Sequence, residues 1–421
     1  MYTTLLDGIH FLVPDKYVDT IRGKLRTGQE IRPLEDLTPF RDALAVDVLI
    51  DDPRYTVRFM AKNLEFIKDN SQISLLAKKS KDTARPDQSF TRLIPADGSY
   101  RVFNLNEGEP ILNMQKISAK VVICGLGDVG GMLLSGLRLL GDETLSEILI
   151  YDRNDSKRQR WYREASQILD PMRPMPPVRI ITKDELFSGD VFIFCVSAGV
   201  PAVGQEEGQD VRMAQLKANA EILQEYLDLA GKAHYQGDFF IVSDPVDQLC
   251  MYAFRNSSLR SQQIRGFGLG VMYARAIFHA REMGLPTDEL RVYGPHGRGL
   301  RVVNSITGYN ESISRELTDK TVTENLKIRE TGFKPYIAPA LSSGALSILA
   351  CLRGQWHYSS TLLDGIWFGA RNRQVGLYAE YETLPLLEDT VDHLVRTKHS
   401  LLASMETLMI KPDEPDSGDV E

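Results

Sequence analysis

An α/β fold organised around a doubly wound, mostly parallel sheet is what this 421-residue sequence predicts, and three observations predict it. A β-branched apolar run, KVVIC (120–124), enters a cluster of glycines. A helical stretch, VGGMLLSGLRLLG (129–141), follows, and then a second apolar run, EILIYD (147–152). The same alternation continues through VRIIT (178–182), VFIFCV (191–196), a long helical pattern over about 210–230, and FFIVSDP (239–245). Strands that alternate with helices pair in parallel, with the helices covering both faces of the sheet.

Each element has its own justification. The βαβ unit at 118–152 is Rossmann-type, because Gly125-Leu-Gly127-Asp-Val-Gly130 stands between a strand and a helix and an acidic residue, Asp152, ends the next strand. In that context Gly125 permits a tight turn, Gly127 lets backbone approach a pyrophosphate, and Gly130 lets helix pack on strand. Asp128, Val129 and Gly130 then open a helix whose free N–H groups face the phosphates. Asp152 accepts hydrogen bonds from an adenosine ribose and repels a 2′-phosphate, which favours NAD; Arg153, Lys157 and Arg158 weaken that preference. Before this unit, helical spacing predicts a helix over 55–68, and SFTRLI (89–94) and YRVFNL (100–105) flank a PADGS turn as a hairpin. After Gly266 the pattern changes to helices over about 271–283, 309–331, 340–353 and 385–407, with strand signals at 289–294 and 300–305. The expected organisation is an N-terminal α+β extension (1–115), a dinucleotide-binding Rossmann domain (116–263), a mixed α+β substrate domain (264–410) and a disordered acidic tail (411–421).

Composition narrows the function classes. A net charge of −8 argues against a nucleic-acid partner, since phosphate binding needs a basic face. No run reaches the roughly 18 apolar residues of a membrane span, and the N-terminus lacks a basic region and a cleavage site. Cys124, Cys195, Cys250 and Cys351 are scattered, with neither a CxxC nor a nearby His at ligand spacing, so reduced core thiols, no metal site and a cytoplasmic setting are expected.

Several further segments fall in one order. They are VSAGVP (196–201), SDPVD (243–247), GFGLGVMYAR (266–275) and GPHG (294–297). With the glycine turn and Asp152, they resemble the lactate/malate dehydrogenase family from about 118 to 405, weakly after 310; the first 115 residues lie outside the likeness. The resemblance implies hydride transfer between NAD and a 2-hydroxy or 2-oxo acid, a small-molecule substrate, and a homodimer or homotetramer. It makes Ser197, Ala198 and Gly199 contacts of the nicotinamide half, His296 the acid/base and Arg275 the carboxylate clamp. Imidazole suits the first role because its pKa lies near working pH, and guanidinium suits the second because it binds carboxylate with two hydrogen bonds. Arg212, seven residues before Asn219-Ala220, matches a loop arginine that contacts substrate.

The departures gather at the reacting centre. Met272 stands where the family places the Asp that orients the catalytic His. Asp244 replaces the Asn of T-N-P-V-D, Arg298 replaces the Asp after G-x-H-G, and no arginine occurs between Arg179 and Arg212. Two readings follow. In one the site is rebuilt, with Asp244 orienting His296 and Arg298 or Arg301 supplying positive charge. In the other catalysis is reduced or lost, and the chain is a dinucleotide-binding regulator or scaffold. A third, the NAD- and metal-dependent glycosidases of this fold, needs a Cys and His ligand pair; Cys250 lies just past SDPVD, but GPHG has no neighbouring Cys.

Overall fold

The computed structural model describes residues 2–6, 9–13, 18–22, 30–33, 45–50, 52–60, 76, 118–198, 209–363, 365–375, 378–382 and 384–409. Near the N-terminus, strands β1 (Tyr2–Leu6), β2 (Ile9–Val13), β3 (Ile31–Pro33), β4 (Ala45–Ile50) and β5 (Asp52–Met60) form a sheet of order β3-β1-β2-β4-β5, and α1 (Val18–Arg22) is a short helix between β2 and β3. The helix expected over 55–68 is therefore corrected over its first part. Tyr55, Val57 and Phe59 alternate with Arg54, Thr56 and Arg58, a period of two that suits a strand, and Val57 and Phe59 pair with Val48 and Val46. The rest of that stretch and the hairpin at 89–105 lie outside the described residues. Leu76 is buried in the main core, and its carbonyl accepts a hydrogen bond from Leu384.

The main sheet begins with β6 (Ala119–Cys124), followed by α2 (Asp128–Leu140), β7 (Leu145–Tyr151), α3 (Asp155–Ser166), β8 (Val178–Ile180) and β9 (Val191–Phe194). Next come α4 (Gln209–Lys232), β10 (Asp238–Ile241), α5 (Val246–Arg255) and β11 (Ile264–Gly266). These six strands are parallel and lie in the order β8-β7-β6-β9-β10-β11. Strand order thus reverses beside β6, and in such sheets the ligand crevice lies outside the carboxyl ends at that point. Val121 and Ile123 pack on one face, while Val122 and Cys124 pack on the other. β7 and β9 divide in the same way, with Ile148, Ile150, Val191 and Ile193 against Leu149, Tyr151, Phe192 and Phe194. Burial on both faces explains why these strands read as continuous apolar runs rather than alternating ones.

The second half comprises α6 (Leu269–Glu282), β12 (Arg291–Tyr293), β13 (Arg301–Val303), α7 (Glu311–Glu330), a π-helical stretch (Pro339–Leu346) running into α8 (Ser347–Leu352), then β14 (His357–Leu363), β15 (Ile366–Val375), β16 (Tyr378–Tyr381) and α9 (Glu388–Met409). β12 and β13 form a hairpin, and α6 and α7 share a third apolar cluster with it. β14, β15 and β16 are antiparallel and extend the parallel sheet beyond β11, giving nine strands in all. The expected boundary at 263/264 therefore falls at the first residue of a strand of this sheet. β14 begins at His357, and both His357 and Tyr358 are buried. Among the described residues no helix is long and apolar enough to cross a membrane.

Candidate active site

The glycine turn leaves β6 at Gly125, whose φ of +98° favours glycine. A Cβ at Gly130 would lie 1.9 Å from the Gly125 carbonyl oxygen, so α2 starts too close to the turn to tolerate any side chain there. Gly127 differs: a Cβ there would meet nothing within 4 Å. Gly127 is also the N-cap of α2 and offers no side-chain cap, so the first N–H groups of α2 have no side-chain acceptor at the cap. A dinucleotide pyrophosphate fits this opening, since bare backbone donors at a helix start complement an anion. Asp152 is fixed beside it, with one carboxylate oxygen accepting from Leu126 N at 2.8 Å and the other from Asn154 N at 2.9 Å. Each oxygen keeps a lone pair for a ribose hydroxyl. Trp161 closes the back of the turn by donating to the Leu126 carbonyl at 3.0 Å. Val129 packs against the core beneath, and Asp128 is exposed and paired with Lys334 at 3.1 Å.

Ser197 and Ala198 follow β9 and are exposed; Gly199 lies outside the described residues. Asn219 of α4, fully buried, accepts from Ala198 N at 2.7 Å and donates to the Asp244 carbonyl at 2.7 Å. It thereby ties the loop after β9 to the segment after β10, where Asp244–Pro245 is a cis peptide. Ser243 adds a second tie by donating to the Val196 carbonyl at 2.7 Å.

His296 lies in the turn between β12 and β13, and the structure brings it to Asp244: Nδ1 is 2.9 Å from Asp244 Oδ1. Its other ring nitrogen has no hydrogen-bond partner among the described residues. Burial works against a charged ring here, but the charge and hydrogen bond of Asp244 outweigh it, and the pKa is raised above its ordinary value. Asp247 supports the arrangement from below. It accepts from the His296 backbone N at 3.3 Å and from the Ser360 hydroxyl. Burial pushes its carboxyl up to about 6, even though Ser360 and the His296 amide favour the ionised form.

Arg275 is buried on α6, one turn beyond Met272, whose sulfur is 3.7 Å from Nη1. Among the described residues no carboxylate lies within ion-pair distance of it. Burial disfavours its charge while Glu324 and Asp244 support it, and the net pKa is lowered from the ordinary arginine value. Arg275 in turn opposes protonation of His296, so the three side chains share one electrostatic field. Helix α6 is held at its start by Ser343 of the π-helical stretch, which accepts from Val271 N at 2.8 Å and donates to the Gly268 carbonyl at 2.7 Å.

The other two expected arginines stand as follows. Arg298 is exposed at the hairpin tip, and Arg212 falls in the first turns of α4, where the backbone alone is described. Arg301 is occupied by Glu311 and Tyr309. Asp247, Asn219, Ser343 and Ser360 were not expected as site supports. Cys124, Cys195, Cys250 and Cys351 form no disulfide, all but Cys195 are buried, and desolvation raises the pKa of each.

No family model matches the chain. It is 26% identical over 239 residues to a malate dehydrogenase of Aliarcobacter butzleri, covering 53% of this chain and 74% of that one. It is also 26% identical over 163 residues to an L-lactate dehydrogenase of Latilactobacillus sakei, covering 39% of this chain and 47%, about half, of that relative. Its fold matches a lactate dehydrogenase from a Medee basin deep-sea metagenome library, with a TM-score of 0.60 and 16% identity, over 70% of this chain and 99% of that one. It matches the malate dehydrogenase of Plasmodium falciparum with a TM-score of 0.57 and 16% identity, over 69% and 98%.

Proposed function

We propose that this divergent lactate/malate dehydrogenase-like chain is an NAD-dependent oxidoreductase that moves a hydride between nicotinamide and C2 of a 2-hydroxy or 2-oxo acid. The observation that carries the reading is the 2.9 Å contact of His296 with Asp244, which occupies Nδ1 and leaves Nε2 without a partner among the described residues, in the field of an arginine that also has no carboxylate partner among them. NAD, when bound at the glycine turn, accepts or supplies the hydride. The chain's own side chains do the rest. Ionised Asp244 can only accept a hydrogen bond, so Nδ1 carries the proton and Nε2 is the exchanging atom. Nε2 takes the hydroxyl proton during oxidation and returns it during reduction. Asp244 stabilises the imidazolium formed in the first case. Arg275 binds the substrate carboxylate with two hydrogen bonds and so orients C2.

Resemblance to dehydrogenases supports a homodimer or homotetramer, which light scattering would report. Four unpaired cysteines are compatible with a reducing cytoplasmic setting. The function is tested by NADH oxidation against a panel of 2-oxo acids, with an NADH-binding titration in parallel. Turnover supports the proposal. Binding without turnover would shift the reading to a dinucleotide-binding regulator or scaffold, and absence of binding would refute both.

A further inference from the structure

The 2′ edge of a ribose held by Asp152 would meet more charge than that one carboxylate. Arg153 follows it directly, and Lys183 stands just beyond β8, the neighbouring strand. Both cations are engaged by a single residue of α4. Glu225 forms an ion pair with Arg153 through one carboxylate oxygen, and its other oxygen is 2.8 Å from Lys183 Nζ. Its direction is set by the helix register, because Leu223, Tyr226 and Leu227 beside it are buried in the core. Hydrogen bonding to Lys183, with further help from Arg153, lowers the Glu225 pKa, so the group is ionised at neutral pH. Of the other cations on α3, Arg158 pairs with Asp155 at 3.0 Å and Arg160 with Glu164 at 2.9 Å, while Lys157 has no ion pair among the described residues.

We infer that Glu225 is a specificity-determining residue, which neutralises Arg153 and Lys183 beside Asp152 and so directs the site to NAD rather than to its 2′-phosphorylated counterpart. The inference rests on the dinucleotide-binding reading given above. Asp152 alone excludes a 2′-phosphate only if no adjacent cation compensates for it. A guanidinium is the side chain best shaped to bind phosphate, and one follows Asp152 immediately. With Glu225 present, the charges of Asp152, Arg153, Lys183 and Glu225 cancel. Without it the edge becomes net positive and releases the guanidinium for the ligand. The selectivity is thus carried by a residue 73 positions away from Asp152, on a different element.

The test is fluorescence titration with NADH and with NADPH of the wild-type chain, of Glu225→Gln, and of Glu225→Gln combined with Arg153→Ala and Lys183→Ala. Wild type is expected to prefer NADH. Glu225→Gln is expected to tighten NADPH binding roughly tenfold with NADH changed less than about twofold, the scale of one unit charge removed within a Debye length of a phosphate. The combined variant is expected to lose that gain. Glu225→Ala provides the same comparison should the Gln variant misfold, with melting temperature as the check. Wild-type NADH binding with an unchanged NADPH-to-NADH ratio in the Glu225 variants overturns this inference alone, as does a gain that survives loss of both cations. A wild-type chain that binds neither nucleotide overturns the dinucleotide reading as well.

Discussion

Replacing Asp244 with Asn removes the charge opposite His296 while keeping size and shape, and it tests the proton-transfer proposal directly. Asp244 Oδ1 is 2.9 Å from Nδ1, and Asp244 raises the His296 pKa through both its charge and its hydrogen bond. A hydrogen bond to a charged group is worth about 1.5–3 kcal/mol. The Asp244 side chain is 53% exposed, so solvent screening reduces this to the lower end, about 1.5–2 kcal/mol, or roughly 10–30-fold in rate. Asn adds a further cost, because its amide can donate to Nδ1 and so favour the tautomer with the proton on Nε2. The sign is fixed by the chemistry. Loss of Asp244 lowers the His296 pKa, so the protonated ring needed for 2-oxo acid reduction is lost at a lower pH. The descending limb of kcat/KM for NADH-dependent reduction therefore moves to lower pH, and the rate at pH 7.5 falls roughly 10–30-fold or more. NADH affinity, measured in the same samples, is expected to be unchanged. Equal turnover and an unmoved pH profile in Asp244→Asn would refute the proposed role of Asp244.

Three further outcomes are expected. Arg275→Lys keeps the charge but loses the planar fork, and is expected to raise KM for a 2-oxo acid about 10–100-fold; initial-rate kinetics at saturating NADH would measure it. Gly127→Val fills the open space at the start of α2 without meeting protein atoms at its Cβ, so NADH binding is expected to weaken more than about 100-fold while the melting temperature stays within about 2 °C. Asp247 holds its proton more tightly in the folded chain than its ordinary value of 3.8, up to about 6, so folding stability is lost as pH rises through that window. The ionisation costs roughly 3 kcal/mol between pH 3.5 and pH 7, and the difference in unfolding free energy between wild type and Asp247→Asn across that range should show it.

The central fold was legible because its strands are buried on both faces. Val121, Val122, Ile123 and Cys124 all face apolar neighbours, which leaves an unbroken signature at one end of a helical pattern. Strand β5 was misread because Tyr55, Val57 and Phe59 continue into residues that also satisfy a helical spacing; alternation with Arg54, Thr56 and Arg58 was the better guide. β14 carried almost no signal. His357, Ser359, Ser360 and Thr361 are all buried; His357 is satisfied locally by Gln355 and Ser359, but the others rely on partners farther along the chain, Asn372 for Ser359, Asp247 for Ser360 and Tyr381 for Thr361. No local pattern encodes a pairing of Ser360 with a residue 113 positions earlier. The supports of the site escaped for the same reason. Asn219 joins Ala198 to the Asp244 segment, and Ser343 caps α6, across separations that only the folded sheet brings together.

The site residues themselves were easier to find than their geometry, and Met272 shows why. Its position faces Arg275, and it is fully buried in the α6–α7 cluster, so a carboxylate there would be desolvated beside a buried guanidinium. Asp244 stands instead at a half-exposed strand end, where ionisation is less costly. Moving the negative charge from the helix to the strand end has two consequences. It keeps an acceptor on Nδ1, and it leaves the Arg275 guanidinium next to a thioether rather than a carboxylate. An arginine such as Arg275, without a carboxylate partner among the described residues, can take a substrate carboxylate directly, whereas one already paired must exchange partners to bind. Under the proposed mechanism the two roles are therefore coupled: with Met272 in place of a carboxylate, Asp244 holds the imidazole and Arg275 is left for the substrate.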